Sequence, residues 1–339
     1  MRHNRFRFPA IVACLISMIS GASAECADPK TALGVSRTVE IDSSKGGNYG
    51  SVSRQAKEPS FLQPKEVVLT FDDGPMPWIT RSILDTLDRF CTKATFFEVG
   101  QMALEHPTVT QEILNRGHTL GTHTMTHPFN LPRMAEASAT DEIERGIAAV
   151  ALAAGGPVAP FFRFPGLADS AALISYLRGR GIVVFTVDVV SNDSYIPDKS
   201  RLIARTLAVV DQHKGGIILF HDIKAVTAKA LPDILAGLKA RGYSVVHMQP
   251  KEPVQLLPDV VAEVTIDAGK TRRRRKIPFY ASVEPDRSAT TAALRGYIKK
   301  KAAAGKRQSS DEGRRKRQRK YWAAHHHRSA RRTSRKAAK

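Results

Sequence analysis

The chain has 339 residues, of which 42% are apolar and 25% charged, values that suit a large globular domain with appendages rather than one small module. Three cysteines exclude a disulfide-framework scaffold and a cysteine-based zinc-finger array. Beyond the N-terminus no run of about 18 apolar residues remains from which to build a multispanning membrane protein. The net charge of +20 points to a nucleic-acid binder only until it is located. Residues 270–339 hold 25 of the 52 basic and 4 of the 32 acidic side chains, which leaves the rest of the chain at −1. A nucleic-acid reader needs its positive field on a structured face. Here it lies in runs such as Arg272–Lys276 and Arg314–Arg317, without an apolar stripe. Like charges this dense repel, so residues 270–339 are expected to form a disordered basic tail. Its expected partners are anionic envelope polymers, with no specific nucleic acid.

In chain order, Arg2, Arg5 and Arg7 precede the short apolar run Ile11–Ile19 and the small-residue site Ala22-Ser23-Ala24. Residues 1–24 therefore read as a signal peptide, cleaved before Glu25. The apolar run is too short to span a bilayer comfortably, so the mature chain is expected to have no transmembrane segment and to act in the periplasm or outside the cell. No adjacent arginine pair is present, which favours the general secretory route. Cleavage leaves Cys26 and Cys91, which either pair or remain two thiols; spacing does not decide between these.

Residues 25–63, rich in Ser, Gly and Lys, read as an N-terminal arm with one strand around Arg37–Ile41 and a turn at Gly46–Gly50. From residue 64 to 250 apolar runs alternate with helical patterns. Strands are expected at Val67–Phe71, Ala94–Val99, His118–Gly121, Phe161–Phe164, Ile182–Val187, Ile217–Phe220 and Ser244–Met248. Helices are expected at Trp78–Phe90, Pro107–Asn115, Asp141–Ala154, Ala171–Arg180, Ser200–Val210 and Ala230–Ala240. Such βα alternation predicts an α/β fold with a parallel sheet, open or closed into a barrel. Continuous apolar runs suit strands buried on both faces, and functional residues then gather at the C-terminal strand ends. Residues 251–269 read as a linker, and the protein is expected to be a monomer.

The strand ends carry chemistry. The first expected strand closes in Thr70-Phe71-Asp72-Asp73-Gly74-Pro75. Alone, this is better read as a solvated Asp-Gly turn than as a site. The third leads into His123-Thr124-Met125-Thr126-His127, two imidazoles that can converge on one metal. Together the two motifs offer a set of two histidines and one carboxylate with open positions. Arg163-Phe164-Pro165-Gly166 and Leu219-Phe220-His221-Asp222 follow at later strand ends.

With these motifs in this order, residues 60–250 resemble the polysaccharide deacetylases, the carbohydrate esterases that share the nodulation-protein-B homology domain. The resemblance rests on Thr-Phe-Asp-Asp-Gly-Pro at 70–75, His-Thr-x-x-His at 123–127, Arg-x-Pro at 163–165, an acidic loop after Asp188, and Leu-x-His at 219–221. Two positions depart from the family pattern. Gly166 stands where an aromatic residue is common, and the loop Asp188–Tyr195 lacks the usual tryptophan.

The resemblance implies a distorted (β/α) barrel of about seven parallel strands and metal-dependent removal of acetyl groups from an N-acetylated polysaccharide or oligosaccharide, such as peptidoglycan or chitin oligosaccharides. It implies Asp73, His123 and His127 as ligands of a divalent metal, with Zn2+ first and Co2+, Mn2+ or Ni2+ as alternatives. Asp72 is implied as general base, with Arg163 paired to it, and His221 as general acid, supported by Asp193 or Asp188. Pro165, Gly166, Tyr195 and Leu219 are implied at the substrate, with a backbone N–H of Tyr195 or Gly166 as oxyanion donor. Trp78 is a further candidate for the acetyl pocket, though its place in the first expected helix favours core packing. The competing reading is a catalytically silent sugar-binding relative on the same scaffold. Retention of Asp72 and His221 argues against it.

Overall fold

A computed structural model describes residues 32–274. The expected signal peptide, Cys14, Cys26 and the chain beyond Arg274 lie outside those residues.

The seven expected strands appear as β3 (Glu66–Asp72), β4 (Thr95–Glu98), β5 (Thr119–Thr122), β6 (Phe161–Phe162), β7 (Val183–Phe185), β9 (Gly216–His221) and β10 (Ser244–Pro250). All pairings are parallel, as short strands joined by helices require. Strand β3 is buried along its whole length, which is why its sequence shows an unbroken apolar run in place of alternation. It pairs with β4 on one side and with β9 on the other. The chain leaving β7 passes directly into β8 (Val189–Val190), which pairs with β9. Pairing therefore runs β3–β4–β5–β6, crosses the β7–β8 segment, and returns through β9 to β3. Strand β10 joins only the first residues of β3.

The arm expected at residues 25–63 contributes two strands. Strand β1 (Arg37–Ile41) forms where expected and pairs with β10, fixed by a bidentate contact of Arg37 with Glu66 at 2.7 and 2.6 Å. Strand β2 (Gly47–Tyr49) forms where a turn was expected, because tertiary partners override the local glycine signal. It pairs with β7, the Tyr49 ring stacks on Phe185, and Asn48 Nδ2 donates to Ser53 Oγ and to the Ala56 carbonyl.

Helices α1 (Pro77–Arg89), α3 (Pro107–Asn115), α4 (Glu136–Ala154), α5 (Ala171–Gly179), α6 (Lys199–His213) and α7 (Ala225–Ala240) match the six expected ones, and a short α2 (Gly100–Glu105) precedes α3. Helix α4 positions the histidine loop. A Cβ at Gly146 would clash with the Thr124 carbonyl carbon, so only glycine lets this helix approach so closely. Glu142 then accepts from Thr126 N and Thr126 Oγ1, each at 2.9 Å.

The segment expected as a linker is largely helical. Helix α8 (Pro258–Arg274) runs through it and into the residues expected to begin the tail. Val264 is buried against Ala148 and Ala149 of α4, with Val260 and Val261 beside it. Arg145 binds Asp267 at 2.9 Å and Glu263 at 3.5 Å. The apolar spacing of Val260, Val261 and Val264 is the helical signal that the charged composition of this stretch obscures. Among the described residues, no helix is long and apolar enough to cross a membrane.

Candidate metal centre and active site

The strand ends converge as the motif order implies. Asp72 closes β3, and its register partner on β9 is His221. His123 follows β5 directly, and its N–H donates to the Glu98 carbonyl at the end of β4. Asp73 and His127 hold left-handed backbone, with φ of 76° and 61°. Non-glycine residues adopt this region at a cost, and such residues concentrate at functional sites.

Asp73, His123 and His127 place one ligand atom each within 4.8 Å of one another. The imidazole Nε2 atoms of His127 and His123 lie 3.2 and 3.5 Å from Asp73 Oδ1. That oxygen is buried without a hydrogen-bond partner. The tautomer of His123 explains why that imidazole donates nothing to it. Its Nδ1 lies 2.7 Å from the Arg163 carbonyl, which can only accept, so Nδ1 carries the proton. Burial lowers the His123 pKa, which leaves Nε2 as a lone pair facing the carboxylate oxygen. Two acceptors directed at one point fit a cation between them, and two imidazoles with one carboxylate suit a divalent transition metal. The carbonyl behind His123 is the outer partner that orients a ligating imidazole.

Arg163 is fully buried and organises the next layer. Its Nη1 donates to Asp72 Oδ1 at 2.7 Å and to Thr70 Oγ1 at 2.8 Å. Its Nε donates to the Phe185 carbonyl at 2.9 Å, and the guanidinium lies 4.1 Å from the centre of the Phe97 ring. Thr70 was absent from the expected site, yet the two-residue period of a strand places it on the same face as Asp72. Asp72 Oδ1 is thus occupied. Its Oδ2 stands 3.9 Å from His123 Nε2, on the side of the metal centre.

His221 lies opposite, with Nε2 3.9 Å from Asp73 Oδ2. Its Nδ1 donates to Asp193 Oδ1 at 2.7 Å. Asp193 Oδ2 accepts from His221 N at 2.7 Å and from Thr227 Oγ1 at 2.6 Å. Burial opposes charge on the imidazole, but the bond to Asp193 and the field of the carboxylates outweigh it, and the His221 pKa is pushed up to about 9. Of the two acidic candidates, the partner of His221 is Asp193. Asp188 accepts instead from Ser51 N and Ile217 N, both at 2.9 Å, and joins the arm to β9.

Beside this centre, Pro165 is buried and Gly166 is left-handed at φ 61°. A Cβ on Gly166 would meet the Phe129 ring at 3.2 Å, and that ring stands edge-on to His127 with centroids 4.6 Å apart. Leu219 belongs to the inner apolar cluster, one pleat below His221. The Tyr195 side chain is 72% exposed, but its N–H donates to the Asn192 carbonyl at 2.9 Å within a turn. Trp78 is 76% exposed, contrary to the core packing expected for it. The buried stripe of α1 runs through Thr80, Ile83, Leu84 and Leu87, and Trp78 falls off that face. Cys91 is disulfide-bonded.

The family described as Polysaccharide deacetylase matches residues 62–185. A peptidoglycan-N-acetylglucosamine deacetylase of Bacillus cereus is 30% identical over 194 residues, which cover 55% of this chain and 71% of the relative. The enzyme of the same name in Listeria monocytogenes is 30% identical over 211 residues, 62% of this chain; the chain spans only 44% of that relative's length. Among solved structures, a peptidoglycan deacetylase of Bdellovibrio bacteriovorus superposes with a TM-score of 0.58 at 33% identity, covering 64% of this chain and 59% of the other. Sequence motifs, fold and relatives agree: the chain belongs to the polysaccharide deacetylase family.

Proposed function

We propose that the protein is an exported, metal-dependent hydrolase that removes N-acetyl groups from an amino-sugar polymer, with peptidoglycan as the first substrate class and chitin oligosaccharides as the second. One observation carries this reading. Two imidazoles and a buried, unpartnered carboxylate oxygen face a common point, with Asp72 on one flank and an Asp193-supported His221 on the other. A divalent cation held by Asp73, His123 and His127 supplies Lewis acidity and a more acidic water when bound.

The chain's own groups perform the remaining steps. Asp72 Oδ2 takes the proton of the attacking water, while Arg163 fixes the carboxylate through Oδ1. The water oxygen adds to the acetyl carbon. The Gly166 N–H is the candidate donor to the resulting oxyanion, since the Tyr195 N–H is engaged in its turn. His221 Nε2 delivers its proton to the sugar nitrogen as the carbon–nitrogen bond breaks, releasing acetate and a free amine. Asp193 favours the charged imidazolium before that transfer. Pro165 and Leu219 form the apolar side of the acetyl pocket, and the exposed Tyr195 ring offers a face to the sugar. The disulfide at Cys91 supports export, because such bonds persist in oxidising compartments.

The test is acetate release from peptidoglycan strands and from chitin oligosaccharides, by metal-loaded and chelator-treated protein. Metal-dependent acetate from either substrate is expected. Binding to both glycans without acetate from either would replace this reading with the silent sugar-binding one.

A further inference from the structure

The loop that supplies Asp193 has a second side. Asp193 turns inward to His221, whereas its neighbour Asn192 turns outward to α6. With the Asn192 amide oxygen directed at Arg205, that oxygen accepts from Nη2 at 2.9 Å and from Nε at 3.2 Å. Between this loop and α6 lies a cavity of about 640 Å3, lined by Asn192, Tyr195, Arg201, Arg205 and Gln212 among others. That volume falls in the range of small-molecule sites, about 300–1,000 Å3.

Arg54, Arg89, Arg133 and Arg178 are exposed arginines on other surfaces, whereas Arg201 and Arg205 line one cavity together. Arg81, Arg116, Arg145 and Arg180 each bind a carboxylate within 3.5 Å. Arg201 and Arg205 are exposed, one helical turn apart on the same face of α6, and like charges at that spacing repel. Among the described residues, no carboxylate lies within 4.0 Å of either guanidinium. The amides of Asn192 and Gln212 add polar groups, and the Tyr195 ring with Ile196, Ala208 and Val209 supplies an apolar part of the lining. A guanidinium pair recognises a planar carboxylate through forked, charge-assisted bonds.

We propose that this cavity is an accessory subsite that binds a carboxylate borne by the glycan near the unit being deacetylated. The inference rests on the deacetylase reading and makes it more specific: the preferred substrate is an acidic amino-sugar polymer, and neutral chitin oligosaccharides are handled less well. In peptidoglycan such a carboxylate is carried by the stem peptide, or by the lactyl ether of the alternate sugar where the stem is absent, because the stem is joined to the lactyl carboxyl as an amide.

The experiment uses the full-length chain, so that the basic tail contributes equally to every protein compared. Wild type, R201Q and R201Q/R205Q are assayed for acetate release on soluble peptidoglycan strands, on the same strands stripped of stem peptides, and on chitopentaose. R201Q leaves the Arg205–Asn192 contact in place, and thermal melting checks the fold of both variants. Loss of one charge-assisted bond is worth about tenfold in affinity. The ratio of kcat/KM on strands to that on chitopentaose should therefore fall about tenfold or more in the double variant, through KM, and by a smaller factor in R201Q. A fall on intact strands that disappears on stripped strands assigns the stem carboxylates, one confined to stripped strands assigns the lactyl carboxylate freed there, and a fall on both shows that the subsite accepts either. Equal kcat/KM ratios in all three proteins would overturn the subsite. Calorimetric binding of the strands is measured in parallel. A protein that releases no acetate yet binds strands more weakly as R201Q/R205Q refutes the deacetylase reading while supporting the subsite, and equal binding by all three proteins refutes the subsite.

Discussion

Replacing Asp193 with Asn tests the His221–Asp193 pair in a way that separates charge from shape. The amide keeps the size of the carboxylate and one acceptor for the His221 Nδ1–H, but it loses the charge that stabilises the imidazolium. In the folded protein the His221 pKa stands at about 9, against about 6.5 for an unperturbed histidine, a difference worth about 3 kcal/mol. The sign follows from linkage. A group whose folded pKa is raised contributes its full stabilisation below the unfolded value and loses it as pH rises through the folded value. Wild type should therefore lose about 3 kcal/mol of unfolding free energy from this group between about pH 6.5 and 9. In D193N that pH-dependent part should shrink sharply, since burial opposes the imidazolium and only Asp73 and Asp72 remain to favour it. A second, pH-independent loss of about 1–3 kcal/mol should appear, because the new NH2 faces the His221 N–H that Asp193 Oδ2 now accepts. Urea unfolding of chelator-treated protein at pH 6, 7.5 and 10, with the His221 ring followed by NMR, reads both parts. The gap between wild type and D193N should be widest at pH 6 and should narrow to the constant part at pH 10. Parallel stability curves across that range would refute the reasoning, as would a His221 midpoint unmoved by the substitution. With metal restored, kcat of D193N should fall, and its alkaline limb should lie at lower pH than that of wild type.

The other expected outcomes concern the metal, the base and the tail. D73A, H123A and H127A should each lose bound metal and acetate release while melting cooperatively, and unchanged metal content by elemental analysis in all three would remove the centre assigned here. D72N should bind metal and glycan as wild type does but turn over about 10²–10⁴-fold more slowly; a wild-type kcat would show that the proton goes elsewhere. Deleting residues 276–339 should preserve kcat on a short soluble oligomer and abolish salt-reversible retention on isolated envelopes, since polycation binding weakens steeply with salt. Equal retention of full-length and truncated protein would leave the tail without that role. The cut must fall beyond α8, because ending the chain at Asp267 removes the last turns of a helix held by Val264 and Arg145.

What could be read in advance depended on how local the physical cause was. Strands buried on both faces must be apolar along their length, so β3, β4 and β9 are visible as unbroken runs in the sequence. Ligand and acid–base side chains sit where those runs end, so Asp72, Asp73, His123, His127 and His221 could be located from motif order alone. The helices of the barrel carry their own period and capping signals. Where a residue's role is set by a partner distant in the chain, the sequence is silent. Asp188 and Asp193 look alike in one acidic loop, and only the register of β8 against β9 turns the first toward backbone amides and the second toward His221. Strands β2 and β8, three and two residues long, have too little sequence to show a period and exist because β7 and β9 offer open edges. Trp78 reads as core until the rotation of α1 places it outside, and the sequence carries no sign that Arg201 and Arg205 share a cavity with Asn192 and Tyr195. Chemistry confined to a few adjacent residues was thus decided by the sequence, and the pairing of each group across the barrel by the tertiary structure, because a hydrogen bond or a cavity depends on distances that chain order does not encode.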